Sequence, residues 1–445
     1  MLTRIEVDGF KNLLGFSAEF GPFTCIAGQN GVGKSNLFDA IELLSLLADM
    51  PVKDAARRIR GGGEIRDLFW TDGEHRLDEM RFAVEMVTES VVVDEFERTS
   101  PPVGSLYRYE LTLGLVADPA VDGVYRLRVL RESLSFRSWE TGRSLGFPGA
   151  QIIRDKLLVV GGANQNIYRS GVEPSPRTFI STQATVDEPY AMAVRREMQS
   201  WRQLALEPAA LRRSDSTDDI DEDLGSNGRH LPATIYRLAH QGHDGHPPDP
   251  EGFYARLAVR LADLLSVRRI EVDRSDKLAQ LSLTVEMLDG GEFPARALSD
   301  GFLRFLALAA LSFVRRQRLL CIEEPENGIH PSRMRDLVEL VRDLATVSET
   351  DLEYEQTLRQ VIVNTHSPDF VKTVYDDADD AILVATQVLV AGPFDAGARV
   401  LRLNPLSGTW RCSSEAPGVG LALLLHYLGA STPLRGLGPV ALPHG

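Results

Sequence analysis

Eight consecutive residues near the start of the chain have the types and spacing of a phosphate-binding loop. They read Gly-Gln-Asn-Gly-Val-Gly-Lys-Ser from Gly28 to Ser35 and match the pattern G-x-x-x-x-G-K-S in full. In such a loop, glycines let backbone N–H groups turn toward the β-phosphate, the lysine reaches the β- and γ-phosphates, and the serine hydroxyl ligates Mg²⁺. The loop by itself therefore predicts a site for a nucleoside triphosphate and Mg²⁺. The predicted nucleotide-binding residues of this loop are Gly28, Gln29, Asn30, Gly31, Val32, Gly33, Lys34, Ser35 and Asn36.

The segments on either side of the loop are predicted to be a strand and a helix, which is the order that a phosphate-binding loop requires. Phe23 to Ala27 is a short apolar run that predicts a strand, and Asn36 to Met50 carries apolar residues at helical spacing before it stops at Pro51. A helix that begins at the loop points its positive end at the phosphates. A chance glycine turn is the alternative, but the spacing, residue types and flanks all favour a phosphate-binding loop.

A second candidate for chemistry is the pair of acids at Glu323 and Glu324. They follow the apolar run Leu319 to Ile322, which predicts a buried strand, and ligands of open α/β sheets bind at the carboxyl ends of strands. Because successive side chains of a strand point to opposite sides, the two carboxylates have different roles. We assign Glu323 to the metal shell and Glu324 to orienting the attacking water, rather than both to a surface turn.

Two further segments carry polar groups at the ends of predicted elements. Leu298 to Gly301 opens a predicted helix, Gly301 to Val314, where a serine hydroxyl and glycine N–H groups form an anion site, although a simple helix cap would look the same. His366 follows the predicted strand Val361 to Asn364. A single histidine at such a position is more often structural than functional.

Taken in this order and spacing, the four segments resemble the motifs of the ABC-type AAA ATPases related to SMC, DNA-repair and OLD-family proteins. The resemblance covers nearly the whole chain. It implies an α/β ABC-type P-loop ATPase fold built from two sequence halves, with an antiparallel β subdomain and a helical insertion. Most ABC ATPases have Asp where this chain has Glu323, which bears on metal geometry and turnover rate.

The resemblance also implies roles for single residues. Catalysis would fall to Glu324 and to His366 as the switch histidine, and Glu326 to His330 would form the D-loop. Metal binding would fall to Ser35, Glu323 and a Q-loop glutamine, for which Gln183 in the segment Phe179 to Gln183 is the candidate. The signature residues that would contact the γ-phosphate of ATP bound to another subunit are Ser299, Asp300 and Gly301.

The remaining sequence is divided by periodicity and by polar stretches. Tyr107 to Leu115 and Val124 to Phe136 alternate like antiparallel strands, whereas Tyr190 to Leu206 and Phe253 to Leu265 have helical period. Residues 99–105, 214–227 and 241–251 are predicted to be exposed connections. We therefore divide the chain into an N-terminal lobe at 1–212, an acidic linker and helical insertion at 213–275, a C-terminal lobe at 276–410 and a tail at 411–445.

Composition narrows the classes of protein that fit. The 445 residues carry a net charge of −15, which opposes sequence-independent binding of nucleic acid and leaves only a local patch for such contact. The three cysteines are far apart and show no ligand spacing, so no disulfide framework or zinc site is expected from them. No apolar run approaches the length of a membrane span, and we expect a cytoplasmic protein with no membrane partner.

We therefore expect an ATP-driven switch or sensor that forms a homodimer or higher oligomer through a head-to-tail ATP sandwich. By resemblance, its output would pass to a nuclease or TOPRIM-like effector in prokaryotic DNA maintenance or phage defence. One alternative is a nucleotide-gated scaffold with little turnover. Another is an OLD-like nuclease in its own right, whose acids would have to come from Asp376 to Asp380, a cluster that we interpret as a solvated turn.

Overall fold

The computed structural model describes most of the chain. The residues described are 1–60, 63–89, 91–94, 96–100, 106–137, 146–147, 150, 165–170, 173–183, 185, 187–242, 247–314, 316–345, 359–394, 397–412, 418–421 and 424–425. Its strands are β1 (Leu2–Asp8), β2 (Phe16–Glu19), β3 (Phe23–Ala27), β4 (Glu79–Val87), β5 (Leu106–Ala117), β6 (Tyr125–Phe136), β7 (Gln165–Ser170), β8 (Trp201–Leu204), β9 (Asp215–Ser216), β10 (Val267–Ser275), β11 (Gln280–Met287), β12 (Glu292–Pro294), β13 (Leu319–Glu323), β14 (Gln360–Thr365), β15 (Ile382–Ala391) and β16 (Gly397–Pro405).

The helices lie mostly in the second half of the chain. Their bounds are Lys34–Leu47, Val52–Arg58, Pro189–Gln199, Pro208–Leu211, Leu231–His240, Pro250–Leu265, Asp300–Leu311, Met334–Asp343 and Pro368–Ala378. Within the part of the chain that the structure describes, none of these helices is long and apolar enough to cross a membrane.

A six-stranded sheet in the order β16-β15-β3-β14-β13-β8 forms the centre of the fold. The pairs β15–β3, β3–β14, β14–β13 and β13–β8 are parallel, and only the edge pair β15–β16 is antiparallel. Strands from both sequence halves are therefore combined in one sheet, which agrees with the predicted α/β P-loop fold class. Four of the five residues of β13 are buried, which fits the continuous apolar run of a strand covered on both faces.

Two antiparallel sheets flank this centre. The first has the order β2-β1-β4-β5-β6-β7, and the second has the order β10-β11-β12 with β9 also paired to β11. Buried side chains of the helix Lys34–Leu47 form one apolar core with the first antiparallel sheet and one face of the parallel sheet. The helices that follow residue 230 form a second core with the other face of the parallel sheet.

Several predicted elements are confirmed, but the helix predicted from Tyr190 to Leu206 is wrong in its second part. The segment Tyr190 to Leu206 was expected to be a single helix, but the helix ends at Gln199 and residues 201–204 form β8. Strand β8 pairs in parallel with β13, from Leu319 opposite Trp201 to Ile322 opposite Leu204. Pairing with a buried neighbour has overridden the local helical period.

Two acidic stretches are also more ordered than expected. The run at 214–227 was predicted to be an exposed connection, but it contains β9 and a 3₁₀ turn at Thr217–Asp219, and Asp215 is buried. The cluster Asp376 to Asp380 was interpreted as a solvated turn. It is the last turn of the helix Pro368–Ala378 and the 3₁₀ turn after it, and its side chains remain largely exposed.

Gln360 joins the first antiparallel sheet to the parallel one. Its side chain is fully buried at the start of β14, where its amide oxygen accepts a 2.9 Å hydrogen bond from the backbone N–H of Leu2. Its amide nitrogen donates to the backbone oxygens of Leu2 and Gly21 at 2.7 and 2.8 Å. One side chain thus satisfies three backbone groups that the packing of the two sheets has removed from water.

We expect Gln360→Leu to lower the free energy of unfolding by about 3 kcal/mol or more, because leucine fills the space and leaves buried backbone groups unpaired. Urea denaturation followed by circular dichroism would measure this. Gln199→Leu is the matched control, since the Gln199 amide makes an exposed bond to Asp49. A loss below about 1 kcal/mol in Gln360→Leu would contradict this account of the joint.

Candidate nucleotide-binding site

The predicted phosphate loop lies between the end of β3 and the start of the helix at Lys34, as its motif requires. Gly33 has φ of +102°, and a Cβ atom there would lie 2.1 Å from Nδ2 of Asn12. A Cβ atom on Gly28 would lie 2.7 Å from the backbone oxygen of Ala385. Glycine is therefore required at both positions, by conformation at one and by close approach at both.

Asn12, which the sequence analysis did not single out, helps to hold this loop. Its Nδ2 donates a 3.0 Å hydrogen bond to the backbone oxygen of Val32, and its Oδ1 accepts a 2.8 Å bond from the side chain of Asn36. The amide therefore connects the last part of the loop to the first turn of the helix. No local sequence pattern around Asn12 predicts that it contacts the loop, because its partners are at least 20 residues away.

Lys34 lies under the loop and is only 6% exposed. Its ammonium donates to the backbone oxygens of Gly28 and Gln29 at 2.7 and 2.8 Å. Burial lowers the pKa of Lys34, and the nearby carboxylates of Glu324, Glu326 and Glu323 oppose that shift. The cation is thus held at the loop by neutral carbonyl groups, which a phosphate group would outcompete because it carries full negative charge.

The predicted metal side of the site is assembled from two strands, β8 and β13, and the loop. Oγ of Ser35 donates to Oε2 of Glu323 at 3.3 Å, which brings together the two residues assigned to Mg²⁺ from opposite halves of the chain. Nε2 of Gln203, in β8, donates to Oε1 of Glu323 at 2.6 Å. The amide oxygen of Gln203 is buried and has no hydrogen-bond partner among the described residues. A hydroxyl, a carboxylate and an orphaned amide oxygen fit a hard oxygen-binding cation such as Mg²⁺.

The structure does not support Gln183 as the glutamine of this site. Its side-chain amide donates to Thr182 Oγ1 at 3.1 Å and to the backbone oxygen of Phe179 at 3.4 Å, so its bonds stay within its own 3₁₀ turn. Gln203 instead occupies the position beside Glu323, and we replace Gln183 by Gln203 as the candidate. Sequence analysis did not identify Gln203, because the four residues of β8 lie in a segment with helical period.

Glu324 has an unusual backbone conformation and several polar neighbours. Its φ is +44°, and its backbone N–H donates to both the backbone and the side-chain oxygen of Asn364 at 3.0 and 3.1 Å. Its carboxylate accepts a 2.8 Å bond from Nδ2 of Asn327 and lies 3.1 Å from Nδ1 of His366. The predicted catalytic pair, Glu324 and His366, is therefore in contact, and Asn327 is a further neighbour that sequence reasoning missed.

Arg60 adds a cation on the Glu323 side of the site. Its guanidinium lies 3.7 Å from Oε1 of Glu323 and donates to Asp39 at 2.9 Å, while Nζ of Lys11 donates to the same carboxylate at 2.6 Å. Asp39 is buried, so the two cations compensate its charge. Arg60 is about half exposed and was not singled out in the sequence, where it is one of several arginines around a glycine run.

The predicted signature residues lie at the start of the helix Asp300–Leu311. Oγ of Ser299 accepts a 3.2 Å bond from the N–H of Phe302, so Ser299 does cap the helix. Ser299 and Asp300 are exposed. Arg212 donates to the backbone oxygen of Leu298 at 3.1 Å and pairs with Asp300. A Cβ atom on Gly301 would lie 3.2 Å from the backbone oxygen of Gly328, so the signature packs directly on the D-loop segment.

Comparison with known proteins agrees with these motifs. A family model described as an AAA domain, putative AbiEii toxin of a type IV TA system, matches residues 172–372, just under half of the chain. The DNA replication and repair protein RecF of Phocaeicola vulgatus is 38% identical over 76 residues, which are 16% of this chain and 20% of that protein. The family model spans the signature, Glu323, Glu324 and His366. The resemblance to ABC-type AAA ATPases related to DNA-repair proteins is therefore confirmed.

Solved SMC head domains are similar over most of this chain, at low identity. The head domain from Thermotoga maritima is 12% identical, covers 91% of this chain and 99% of its own, and has a TM-score of 0.39. The head domain with a coiled coil and joint from Pyrococcus yayanosii is 13% identical, covers 96% of this chain and 99% of its own, and has a TM-score of 0.44.

The two glutamines provide a direct test of the metal side. We expect Gln203→Ala to raise the Mg²⁺ concentration that half-saturates ATP binding by about tenfold or more, because Gln203 offers its amide oxygen to the ion and also orients Glu323, and loss of an orienting partner alone typically weakens metal affinity about tenfold. Gln183→Ala is the matched control and should leave the value unchanged. Titration of Mg²⁺ against a fluorescent ATP analogue would measure both. The reverse pattern would restore Gln183 as the site residue.

Proposed function

We propose that this chain binds and hydrolyses ATP as an ABC-type ATPase and acts as a dimeric nucleotide-driven switch. The observation that carries the proposal is the contact between Ser35 and Glu323, 3.3 Å apart although 288 positions separate them in sequence. A phosphate loop alone indicates only nucleotide binding. A loop serine beside a strand-end carboxylate, followed by a second carboxylate, supports metal-dependent hydrolysis.

Each residue has a defined task in this proposal. Lys34 would exchange its two carbonyl partners for phosphate oxygens of ATP, and Ser35, Glu323 and Gln203 would hold the metal. Bound Mg²⁺ would neutralise charge that develops on the β- and γ-phosphate oxygens. Glu324 would orient the attacking water and accept its proton. Asn327 donates a hydrogen bond to the Glu324 carboxylate, and His366 lies beside that carboxylate.

The proposed dimer follows from the exposure of the signature. Lys34 is buried under its own loop, whereas Ser299 and Asp300 are open to solvent and face no phosphate loop in any contact described for them. A second copy could therefore place its signature on ATP bound by the first. Two-fold symmetry would then form two equivalent sites, each with the loop of one subunit and the signature of the other.

The biological setting is a proposal that rests on the similar proteins. The matching family is described as an AAA domain, putative AbiEii toxin of a type IV TA system, and one relative as a DNA replication and repair protein. These support a role in prokaryotic DNA maintenance or defence. The partner effector, such as a nuclease, comes from the resemblance of the motifs alone. Glu323, where most ABC ATPases have Asp, favours a second candidate, a nucleotide-gated scaffold with little turnover.

Glu324→Gln, compared with the unaltered protein, tests the hydrolytic role of Glu324. We expect ATP to bind within a few-fold of the normal affinity and hydrolysis to slow by about 100-fold or more, because the amide keeps the shape of the side chain but cannot accept a proton. Phosphate release and equilibrium ATP binding would be measured together. Glu339→Gln, on an exposed helix face, is the matched control.

Two other results would change the proposal. Normal turnover in Glu324→Gln, with loss in Glu323→Gln, would mean that the two carboxylates have exchanged roles. Tight ATP binding without turnover in the unaltered protein would favour the scaffold.

Mixing two inactive variants tests the composite site. Lys34→Ala removes the phosphate-binding cation and keeps the signature, whereas Ser299→Arg blocks the signature and keeps the loop. Each variant alone should be inactive. Because random exchange makes about half of the dimers mixed, and each mixed dimer has one intact site of two, about a quarter of the normal ATPase rate should return.

Subunit exchange in this mixture would be confirmed separately, with differently labelled subunits. Full ATPase activity of Ser299→Arg by itself would remove the signature assignment and, with it, the site shared between subunits.

A further inference from the structure

Three residues outside the nucleotide site bring metal-binding atoms together. Asp215, Asp219 and His230 each place one ligand-type atom so that all three lie within 4.8 Å of one another. Asp215 belongs to β9, Asp219 ends the 3₁₀ turn Thr217–Asp219, and His230 immediately precedes the helix Leu231–His240. The cluster thus connects the start of the acidic run at 214–227 to the helix that follows it.

The distances within the cluster suit a shared cation better than direct hydrogen bonds. Nδ1 of His230 lies 3.4 Å from Oδ1 of Asp215 and 3.8 Å from Oδ2 of Asp219. A charge-assisted hydrogen bond between such groups would be about 2.7–2.9 Å long. Atoms that each lie about 2.1 Å from one tetrahedral ion are about 3.4 Å from each other. The observed spacing is close to the second arrangement.

Nδ1 of His230, one of the three clustered atoms, is also without a hydrogen bond among the described residues, which points to a ligand at this position. The atom is shielded from solvent. Leaving such an atom unpaired costs about 1–3 kcal/mol. It points toward two carboxylate oxygens, and a cation between the three atoms would satisfy its lone pair and offset both negative charges.

The two carboxylates are already oriented by backbone groups. Oδ2 of Asp215 accepts a 3.0 Å bond from the N–H of Ala233, which leaves Oδ1 toward His230. Oδ2 of Asp219 accepts a 3.0 Å bond from the N–H of Ser216. Such bonds fix the direction of metal ligands in known metal sites. The Asp219 side chain is 34% exposed, so water has access to complete the coordination of an ion.

We propose that Asp215, Asp219 and His230 form a binding site for a divalent transition-metal ion such as Zn²⁺ or Mn²⁺. One imidazole nitrogen and two carboxylates are ligands that suit these ions, and the imidazole disfavours Ca²⁺ and Mg²⁺, which prefer oxygen throughout. The site is separate from the phosphate loop and does not depend on the proposed ATPase activity.

An ion here would stabilise the part of the chain that supports the signature. It would connect both ends of the segment from 215 to 230. Because such a site rarely exists in the unfolded chain, the binding free energy of the ion would add to the stability of the fold. Arg212, which pairs with Asp300, lies three residues before Asp215, and β9 pairs with β11. The ion would therefore stabilise the position of β9 and of the neighbouring Arg212, which contacts the signature.

Metal binding can be measured directly on the full chain. Protein stripped with a chelator would be titrated with ZnCl₂ and with MnCl₂ in the absence of nucleotide, by calorimetry and by thermal melting. We expect one ion per chain at this site and a rise in melting temperature for the unaltered protein. His230→Gln and Asp219→Asn should each weaken binding at least tenfold and remove the rise in melting temperature.

Matched controls identify the site. His240→Gln and Asp218→Asn alter exposed neighbours and should bind as the unaltered protein does, and Glu323→Gln should also keep the ion. Failure of the unaltered protein to bind either ion would overturn the proposal and leave His230 as a partner in a simple ion pair. Loss of binding in Glu323→Gln, with binding kept in His230→Gln, would assign the ion to the nucleotide site instead.

Discussion

Parallel pairing of β14 with β3 on one side and with β13 on the other is the interaction on which the nucleotide site depends. Thr365 lies opposite Ala27, and Asn364 lies opposite Glu323, so the three strands end together. The phosphate loop, the paired glutamates and His366 each begin where one of these strands ends. A shift of one residue in either register would turn Glu323 to the other face of the sheet and separate it from Ser35.

Several charged side chains lie at the carboxyl ends of these three strands, and hydrogen bonds to neighbouring residues fix their positions. Lys34 is buried among carboxylates, and burial also raises the pKa of Glu326, whose side chain accepts a hydrogen bond from Thr365. Glu324 leaves the strand with a left-handed backbone, which costs about 1–2 kcal/mol for a residue with a side chain. Two bonds from its N–H to Asn364 offset this cost, and its carboxylate contacts Asn327 and His366.

Both halves of the expected site reach the surface of the chain. Lys34 is buried, but Gln29, Asn30 and Gly31 of the loop are exposed, and the signature serine is also open to solvent. Arg212 and the D-loop support the signature from behind. An exposed loop and an exposed signature support a site completed by a second copy of the chain. We therefore expect the segment from 208 to 230 to support the signature, because it carries both Arg212 and the proposed metal ligands.

The sequence by itself determined the parts of the site that are local. The loop from Gly28 to Ser35 and the carboxylates Glu323 and Glu324 were identified because each lies within one strand, turn or helix whose pattern is visible over a few residues. Gln203, Asn12 and Arg60 were not, because their roles come from neighbours 20 to 263 positions away. Only the tertiary structure could decide that residues 201–204 form a strand, since the partner that stabilises it, β13, lies more than 100 residues later.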